Sequence, residues 1–288
     1  MIITNKLDLP EALVNAVSPE PHNAEDSLSA TTLLHGTKDI ILTKRHWHEI
    51  EEDCSSRLYA LFGTAVHKIF EDTTDNKDVL KEEQFSCKIS NTTLTGKVDR
   101  FDPKSKTIFD YKTTSVFKVI KANYQEWYTQ LMIYAFLLSK AGYQVEHLMI
   151  YALLRDWSRT DAKINKGGDY PQSQIVKIPF DITQNDFDFI EKFITEKIAD
   201  VESKVDVADD LIPPCTMTER WAEPDKWAVM PTSGKRAKKV CESKEEAEAN
   251  CSEKDTIEFR PGKSKRCMDY CSCCSFCNFY KENVENAL

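Results

Sequence analysis

Gly96-Lys97-Val98-Asp99-Arg100-Phe101-Asp102-Pro103-Lys104-Ser105-Lys106-Thr107-Ile108-Phe109-Asp110-Tyr111-Lys112 is the stretch on which the reading of this 288-residue chain turns. Thr92–Phe101 and Lys106–Thr113 read as strands, and Asp102-Pro103-Lys104-Ser105 between them has turn chemistry. Folding the runs about that turn sets Phe101 opposite Ile108, Asp99 opposite Asp110 and Lys97 opposite Lys112. Side chains alternate along a strand, so Asp99, Asp110 and Lys112 share one face, while Val98, Phe109 and Tyr111 point the other way toward a core. Opposed Cβ atoms lie about 4.5–5.5 Å apart. Two carboxylates at that spacing repel unless a cation lies between them, and hard oxygen donors so placed suit Mg²⁺ or Mn²⁺. On the residues alone, a solvated polar strand face accounts for the pair equally well. Lys112 reaches the same pocket as Asp110, where an ammonium group stabilises a developing phosphorane or positions a water.

Outward from the hairpin, Ser55–Thr73 reads as a helix capped by Ser55 or Ser56, with Leu58, Leu61, Phe62, Ala65, Ile69 and Phe70 as its apolar stripe. Gln84–Ser90 is a strand. Asn123–Lys140 is a second helix, striped by Trp127, Leu131, Tyr134, Ala135 and Leu138 and stopped by Gly142. Val145–Leu154 and Gln174–Phe180 read as strands, and Thr183–Val205 as a long amphipathic helix. That order predicts an α/β sandwich of moderate size rather than a regular βαβ winding. Residues 1–50, with Pro19 and Pro21 at an irregular start, are expected to be an N-terminal extension to a core over 51–206. Residues 207–288 are expected to pack on that core as a hairpin around Pro231–Gly234, a charged helix at Lys244–Ala249 and a Cys-rich end.

Composition narrows the classes. With 38 Lys+Arg against 47 Asp+Glu the net charge is −9, which argues against a passive basic clamp for nucleic acid. Eight glycines are under half the usual share of about 7%, and no G-x-G-x-x-G, G-x-x-x-x-G-K-[ST] or G-x-S-x-G occurs. No apolar run approaches the ~18 residues of a membrane span, and Met1–Asp8 lacks signal-peptide character, so a cytoplasmic protein with reduced thiols is expected.

Asp110-Tyr111-Lys112 on a strand, after Gly96-Lys97-Val98-Asp99, resembles the PD-(D/E)XK nuclease superfamily and, more narrowly, is similar to RecB-like exonucleases, CRISPR-associated and tailed-phage members among them. Gly63-Thr64-Ala65-Val66-His67-Lys68-Ile69-Phe70-Glu71 is similar to the family's G-T-x-x-H-x-x-x-E helix, and Gln130 with Tyr134 to its Q-x-x-x-Y element. The resemblance implies an α/β restriction-endonuclease-like core, a central mixed sheet flanked by helices, and a metal-dependent deoxyribonuclease, an exonuclease rather than an endonuclease. It implies that His67, Asp99, Asp110 and the backbone carbonyl of Tyr111 bind Mg²⁺ or Mn²⁺, that Asp99, Asp110 and Lys112 are catalytic, and that Gln130 and Tyr134 steady the DNA strand. Glu71 is expected to orient His67. Glu83, beside Glu82, stands where family members often carry an acidic residue. DNA is the implied partner, with recombination or single-strand-binding proteins beside it.

Five of the ten cysteines lie at or after Cys267. Cys271-x-x-Cys274 and Cys274-x-x-Cys277 have chelating spacing. Several RecB-like nucleases close the domain with an iron–sulfur cluster, which here implicates Cys54, Cys267, Cys271, Cys274 and Cys277. Cys267-x3-Cys271-x5-Cys277 has one residue more in its first gap than the family pattern. A [4Fe–4S] cluster, zinc, or thiols packed as small hydrophobes all remain open. His46-x-His48-Glu49 reads as a polar loop. Lys235-Arg236-Lys238-Lys239 and Lys263-Lys265-Arg266, near Trp221, Trp227 and Phe259, suit either a phosphate-tracking patch or a solvated hairpin. Two other classes fit the chain: a non-catalytic DNA-binding recombination partner, and a Cys-cluster interaction module.

Overall fold

The computed structural model describes residues 1–18, 26–234 and 236–285, so Pro19, Pro21 and Lys235 lie outside the described residues. The chain forms two compact units, Met1–His35 with His48–Val205, and Gly36–Trp47 with Asp206–Leu288. Residues 1–35 thus belong with the core instead of forming an extension of their own.

In chain order the elements are β1 (Ile2–Thr4), α1 (Glu11–Val17), β2 (Ser27–Ser29), α2 (Thr37–Arg45), β3 (Glu51–Asp53), α3 (Leu58–Asp72), β4 (Leu80–Ile89), β5 (Thr92–Asp102) and β6 (Thr107–Thr114). There follow α4 (Val116–Lys121), α5 (Gln125–Lys140), β7 (His147–Leu154), α6 (Arg159–Ile164), β8 (Ile175–Asp181) and α7 (Gln184–Glu202). The chain ends with β9 (Lys226–Pro231), β10 (Lys239–Cys241), α8 (Lys244–Ala249), β11 (Asp255–Arg260), α9 (Lys265–Asp269) and α10 (Asn278–Asn283).

The first unit is an α/β fold around a mixed six-stranded sheet, ordered β2-β5-β6-β7-β8 with β4 also on β5. β6 and β7 run parallel, joined by the α4–α5 crossover, whereas β5–β6 and β7–β8 are antiparallel. One edge of β5 is covered by β4 from Thr92 to Phe101. The other edge is shared: β6 pairs only with Arg100–Asp102, and β2 pairs in parallel with Thr93–Thr95. Gly96–Asp99 therefore face a gap between strands.

Burial explains why α5 sits where it does. Every residue from Gln130 to Leu138 is buried, a wider apolar surface than one stripe, as expected of a helix enclosed on all sides. Gly96 permits this approach, since a Cβ there would fall 2.6 Å from Leu137 Cδ1 and 2.9 Å from Tyr134 Cδ1. α7 buries Ile190, Ile194, Ile198 and Val201. α3 behaves differently: none of its residues is fully buried, and Leu58, Tyr59, Phe62 and Ile69 are exposed. Its cap also differs from expectation. Asp53 accepts the Ser55 N–H and caps a short 3₁₀ turn, Cys54–Arg57, that leads into the helix.

In the second unit β10-β9-β11 form a small antiparallel sheet whose core is Val229, Cys241 and Ala247 of α8. Its cations are mostly committed: Lys238 pairs with Asp255, Lys239 with Glu246 and Lys265 with Glu223, and the buried Arg266 lies over the Trp221 ring. The phosphate-tracking reading loses those charges. His46 ends α2, stacks on Phe276 at 4.0 Å and meets Asp209 at 2.7 Å, so it is a packed residue, not part of a polar loop. Among the described residues no helix is long and apolar enough to cross a membrane.

Candidate active site

The hairpin folds in the expected register where it pairs, with Arg100 opposite Phe109, Phe101 opposite Ile108 and Asp102 opposite Thr107. Beyond that point the strands splay. Asp99 and Asp110 are not a ladder pair, and Lys97 does not face Lys112: Lys97 turns to Glu82 at 2.7 Å. Asp99 Oδ2 instead accepts the backbone N–H of Tyr111 at 2.9 Å, which bridges the gap with a side chain.

On the other edge of β5 the β4 ladder is also interrupted. Lys81 pairs with Arg100 and Glu83 with Val98, while Glu82, between them, has a left-handed backbone with φ +49°. Such a conformation costs a non-Gly residue on the order of 1–3 kcal/mol and persists only where its surroundings hold it. Here it turns the Glu82 carboxylate into the gap, 3.3 Å from His67 Nδ1, and Asp99 Oδ1 lies 3.4 Å from the same nitrogen. One donor atom from each of His67, Glu82 and Asp99 fits within 4.8 Å. Glu83 is exposed on the neighbouring position and stays out of the group. Glu71 also stays out, its carboxylate pairing with Lys68 at 3.2 Å.

Asp110 enters from β6, 1% exposed, on the side of the strand that carries the buried Ile108. Its Oδ1 accepts from Lys112 Nζ at 3.1 Å; Oδ2 is equally near but off-axis and has no hydrogen-bond partner. A buried carboxylate oxygen without a donor is costly unless a cation completes it. This orphaned atom, with the three converging donors beside it, fits a hard divalent metal. Lys112 Nζ also donates to Gln130 Oε1 at 2.9 Å, and Gln130 Nε2 donates to the Tyr134 hydroxyl at 2.8 Å. The i,i+4 pair on α5 thereby fixes the ammonium group from behind.

The electrostatics follow from this crowding. The hydrogen bond to Asp99, aided by Glu82, raises the His67 pKa to about 9 against the cost of burial. Burial lifts Asp110 to about 6, with Lys112 opposing and the Asp99 charge adding to the rise. Burial and the nearby Asp110 charge push the Tyr134 phenol upward, which keeps it neutral.

Val98 is buried as expected, but Phe109 and Tyr111 are not in a core; they line an open hollow described below. An apolar strand face reads as core in a sequence whether or not anything covers it.

The second unit gathers thiols. Cys215, Cys267, Cys271, Cys273, Cys274 and Cys277 line one small hollow, and all ten cysteines of the chain are free thiols. Cys271 Sγ and Cys273 Sγ are 3.6 Å apart, and Cys273 Sγ reaches Asp39 Oδ1 at 3.6 Å. Cys54 does not line this hollow; it is buried in the first unit, its thiol toward Asn5 Oδ1 at 3.5 Å. Cys215 takes part instead, and Gly36 makes room for it, since a Cβ there would meet Cys215 Sγ at 2.3 Å. Sequence spacing gives no sign of Cys215, which lies 52 residues before Cys267, the first of the thiols it joins.

Splayed strands in a mixed sheet thus bring His67, Glu82, Asp99 and Asp110-Tyr111-Lys112 to one gap. The chain belongs to the PD-(D/E)XK nuclease superfamily, whose model matches residues 55–278. Among solved structures it is similar to SSO0001 (13% identity, TM-score 0.47, covering 68% of this chain and 87% of that one) and to LHK-Exo in complex with dAMP (8%, 0.38, 67% and 92%). A phage-related exonuclease from Haemophilus somnus 129PT is also similar (13%, 0.29, 59% and 74%). No curated protein sequence matches the chain.

Proposed function

We propose that the chain is a metal-dependent DNA exonuclease of the RecB-like kind, acting in phage DNA metabolism or in recombination and repair in the cytoplasm. The observation that carries this reading is the gathering of His67, Glu82, Asp99, Asp110 and Lys112 at the unpaired edge of β5, with Asp110 Oδ2 left without a donor. In this reading His67, Asp99, Asp110 and the Tyr111 carbonyl hold Mg²⁺ or Mn²⁺, and Glu82 is a further donor. A divalent cation supplies charge neutralisation at the scissile phosphate and acidifies a water.

The chain's own groups do the rest. Asp99 fixes the Tyr111 backbone through its N–H. Gln130 holds Lys112 Nζ beside Asp110, so the ammonium group is already aimed when phosphate arrives. Tyr134 satisfies the Gln130 amide and keeps its carbonyl oxygen turned toward Lys112. Recombination or single-strand-binding proteins are natural partners for such an activity.

End-labelled linear DNA and closed circular DNA, incubated with and without Mn²⁺, test the reading. Digestion of the linear form only, dependent on Mn²⁺ and absent from Asp110→Ala, supports it. Undiminished digestion by Asp110→Ala overturns it.

A second assignment rests on the thiol-lined hollow. Six sulfur donors around one space suit a thiophilic metal or a [4Fe–4S] cluster, with Cys215, Cys267, Cys271, Cys274 and Cys277 as the candidate ligands. Such a group would staple the second unit, to which all six of these cysteines belong.

A further inference from the structure

The two faces of the β6–β7–β8 sheet differ sharply. On one, Asp110, Ile150 and Ile178 lie abreast and are buried. On the other, Tyr111, Tyr151 and Lys177 lie abreast, and the next row is Thr113, Leu153 and Ile175. That second face is open. Two adjoining hollows of about 730 and 690 Å³ lie over it and share Leu153, Ser173 and Ile175.

Its chemistry is unlike that of the rest of the chain. Tyr111 and Tyr151 stand nearly parallel with centroids 6.0 Å apart, Phe109 extends the row at 6.2 Å from Tyr151, and Phe70 stacks on Tyr111 at 4.1 Å. No Asp or Glu lines either hollow, in a protein of net charge −9, whereas Arg100, Arg155 and Lys177 all do. Arg100 is tied to Asp75, but Arg155 and Lys177 form no ion pair among the described residues. Asp110 points to the other face, but the two faces meet at the edge of β6: Phe70, stacked on Tyr111, is three residues beyond His67 on α3, and the Tyr111 N–H is held by Asp99 Oδ2.

We infer that this face is the seat of an unpaired DNA strand, with bases on the Tyr111–Tyr151 row and phosphates at Lys177 and Arg155, so that a single-stranded end is delivered to Asp99 and Asp110. The inference rests on the nuclease reading and names its substrate class. Half-buried rings on an open face offer nothing to a duplex, whose bases are stacked inside, but every unpaired base has a face to lay on them. A duplex seat would need a broad track of cations along two backbones, and three cations in an aromatic setting do not make one.

The test is binding of fluorescein-labelled oligothymidine, and of a duplex of equal length, by the full chain in EDTA, followed by cleavage in Mn²⁺. Tyr151→Ala weakens oligothymidine binding by about tenfold and leaves the duplex unaffected, while Tyr151→Phe binds as wild type does. Lys177→Ala, at an exposed position that folding does not depend on, lowers the slope of log affinity against log salt by about 0.7. If the wild type cuts DNA and both Tyr151→Ala and Lys177→Ala bind and cut single strands as it does, the seat is wrong and the nuclease reading stands. If the wild type neither binds nor cuts DNA, the nuclease reading fails and the inference with it. Self-association abolished by Tyr151→Ala, with oligothymidine binding intact, gives the face to a protein partner and overturns the inference.

Discussion

Asp99 and Tyr111 are joined by a hydrogen bond in which the carboxylate Oδ2 takes the N–H that a continued β-ladder would have given to a main-chain carbonyl. The same residue offers its other oxygen, Oδ1, to His67 at 3.4 Å. One side chain thus holds the strands apart at a fixed width and furnishes a donor inside the opening. Asp99→Asn keeps one oxygen but lacks the charge that holds the His67 proton. It should reduce cleavage more than it reduces stability, as read by initial rates beside thermal unfolding.

Asp110→Asn removes a buried charge whose Oδ2 has no donor. Metal-dependent cleavage should fall by more than about 100-fold, beyond what an outer partner of a metal ligand is worth. The metal-free variant should unfold at a temperature close to that of wild type, because loss of the Lys112 ion pair is offset by removal of a buried charge whose second oxygen has no donor. A large drop in unfolding temperature in EDTA contradicts this account of the site.

Tyr134 holds Gln130 and Gln130 holds Lys112, so both are expected to act through the ammonium group. Gln130→Ala frees the ammonium group, and kcat should drop about 10–100-fold with KM nearly unchanged. Tyr134→Phe leaves the buried Gln130 amide without its acceptor, which should cost about 1–3 kcal/mol in urea unfolding. A rise in KM alone would instead place Gln130 in substrate binding.

The two adjacent glutamates should behave differently. Glu82→Gln removes the charge of a donor within 4.8 Å of those of His67 and Asp99, so Mn²⁺ affinity should weaken about tenfold or more. Glu83→Gln, exposed and one position along, should match wild type. Calorimetric titration with Mn²⁺ alone distinguishes them, and equal effects would remove Glu82 from the site.

The pH dependence has a defined sign. His67 is raised to about 9 and Asp110 to about 6, so both bind protons more tightly in the folded protein than in the unfolded one. Their contribution to stability is full on the acid side, falls as pH passes about 6, and is lost above about 9. Depressed carboxylates such as Asp255, lowered to about 2, have finished titrating before this range. The unfolding temperature in EDTA should therefore decline from about pH 5 to 9, and the increment on adding Mn²⁺ should widen over the same interval as the metal replaces those protons. An increment that narrows with rising pH contradicts the assignment of His67 and Asp110.

For the thiol hollow, Cys215→Ser and Cys54→Ser separate the ligand sets. Visible iron–sulfur absorbance after reconstitution should be lost in the first and kept in the second. The reverse result would restore Cys54.

What could be read from the sequence was whatever depends on short-range periodicity. The turn at Asp102–Ser105 and alternation along its flanks set the register of Phe101 and Ile108, and the i,i+4 spacing of Gln130 and Tyr134 put both on one face of α5. What depends on departures from regularity was hidden. The splay beyond Arg100, the left-handed Glu82 and the three-residue β2 on the stretch of β5 that β6 leaves unpaired have no periodic trace. Glu82 and Glu83 are chemically identical neighbours, and only the backbone angle decides which one enters the gap. Cys215 reaches its companions through tertiary folding alone. Phe109 and Tyr111 misled because hydrophobicity reports a preference for cover, not its presence.

The passage of Gly36–Trp47 into the second unit, between two stretches of the first, sets an order of events during synthesis. Lys38 is completed by Ile212 and Asn278, Arg45 by Asp209, and His46 by Asp209 and Phe276, partners 163 to 240 residues later for the hydrogen bonds. As the chain leaves the ribosome, α2 emerges early and waits, its ammonium and imidazole groups hydrated, until the last quarter of the protein arrives. The sheet that carries Asp99 and Asp110 is complete well before then. Nascent protein can therefore hold the strands of Asp99 and Asp110 in place while the cysteines of the second unit are still being made, and a ribosome that stalls near Val205 releases a product with that sheet and an orphaned α2.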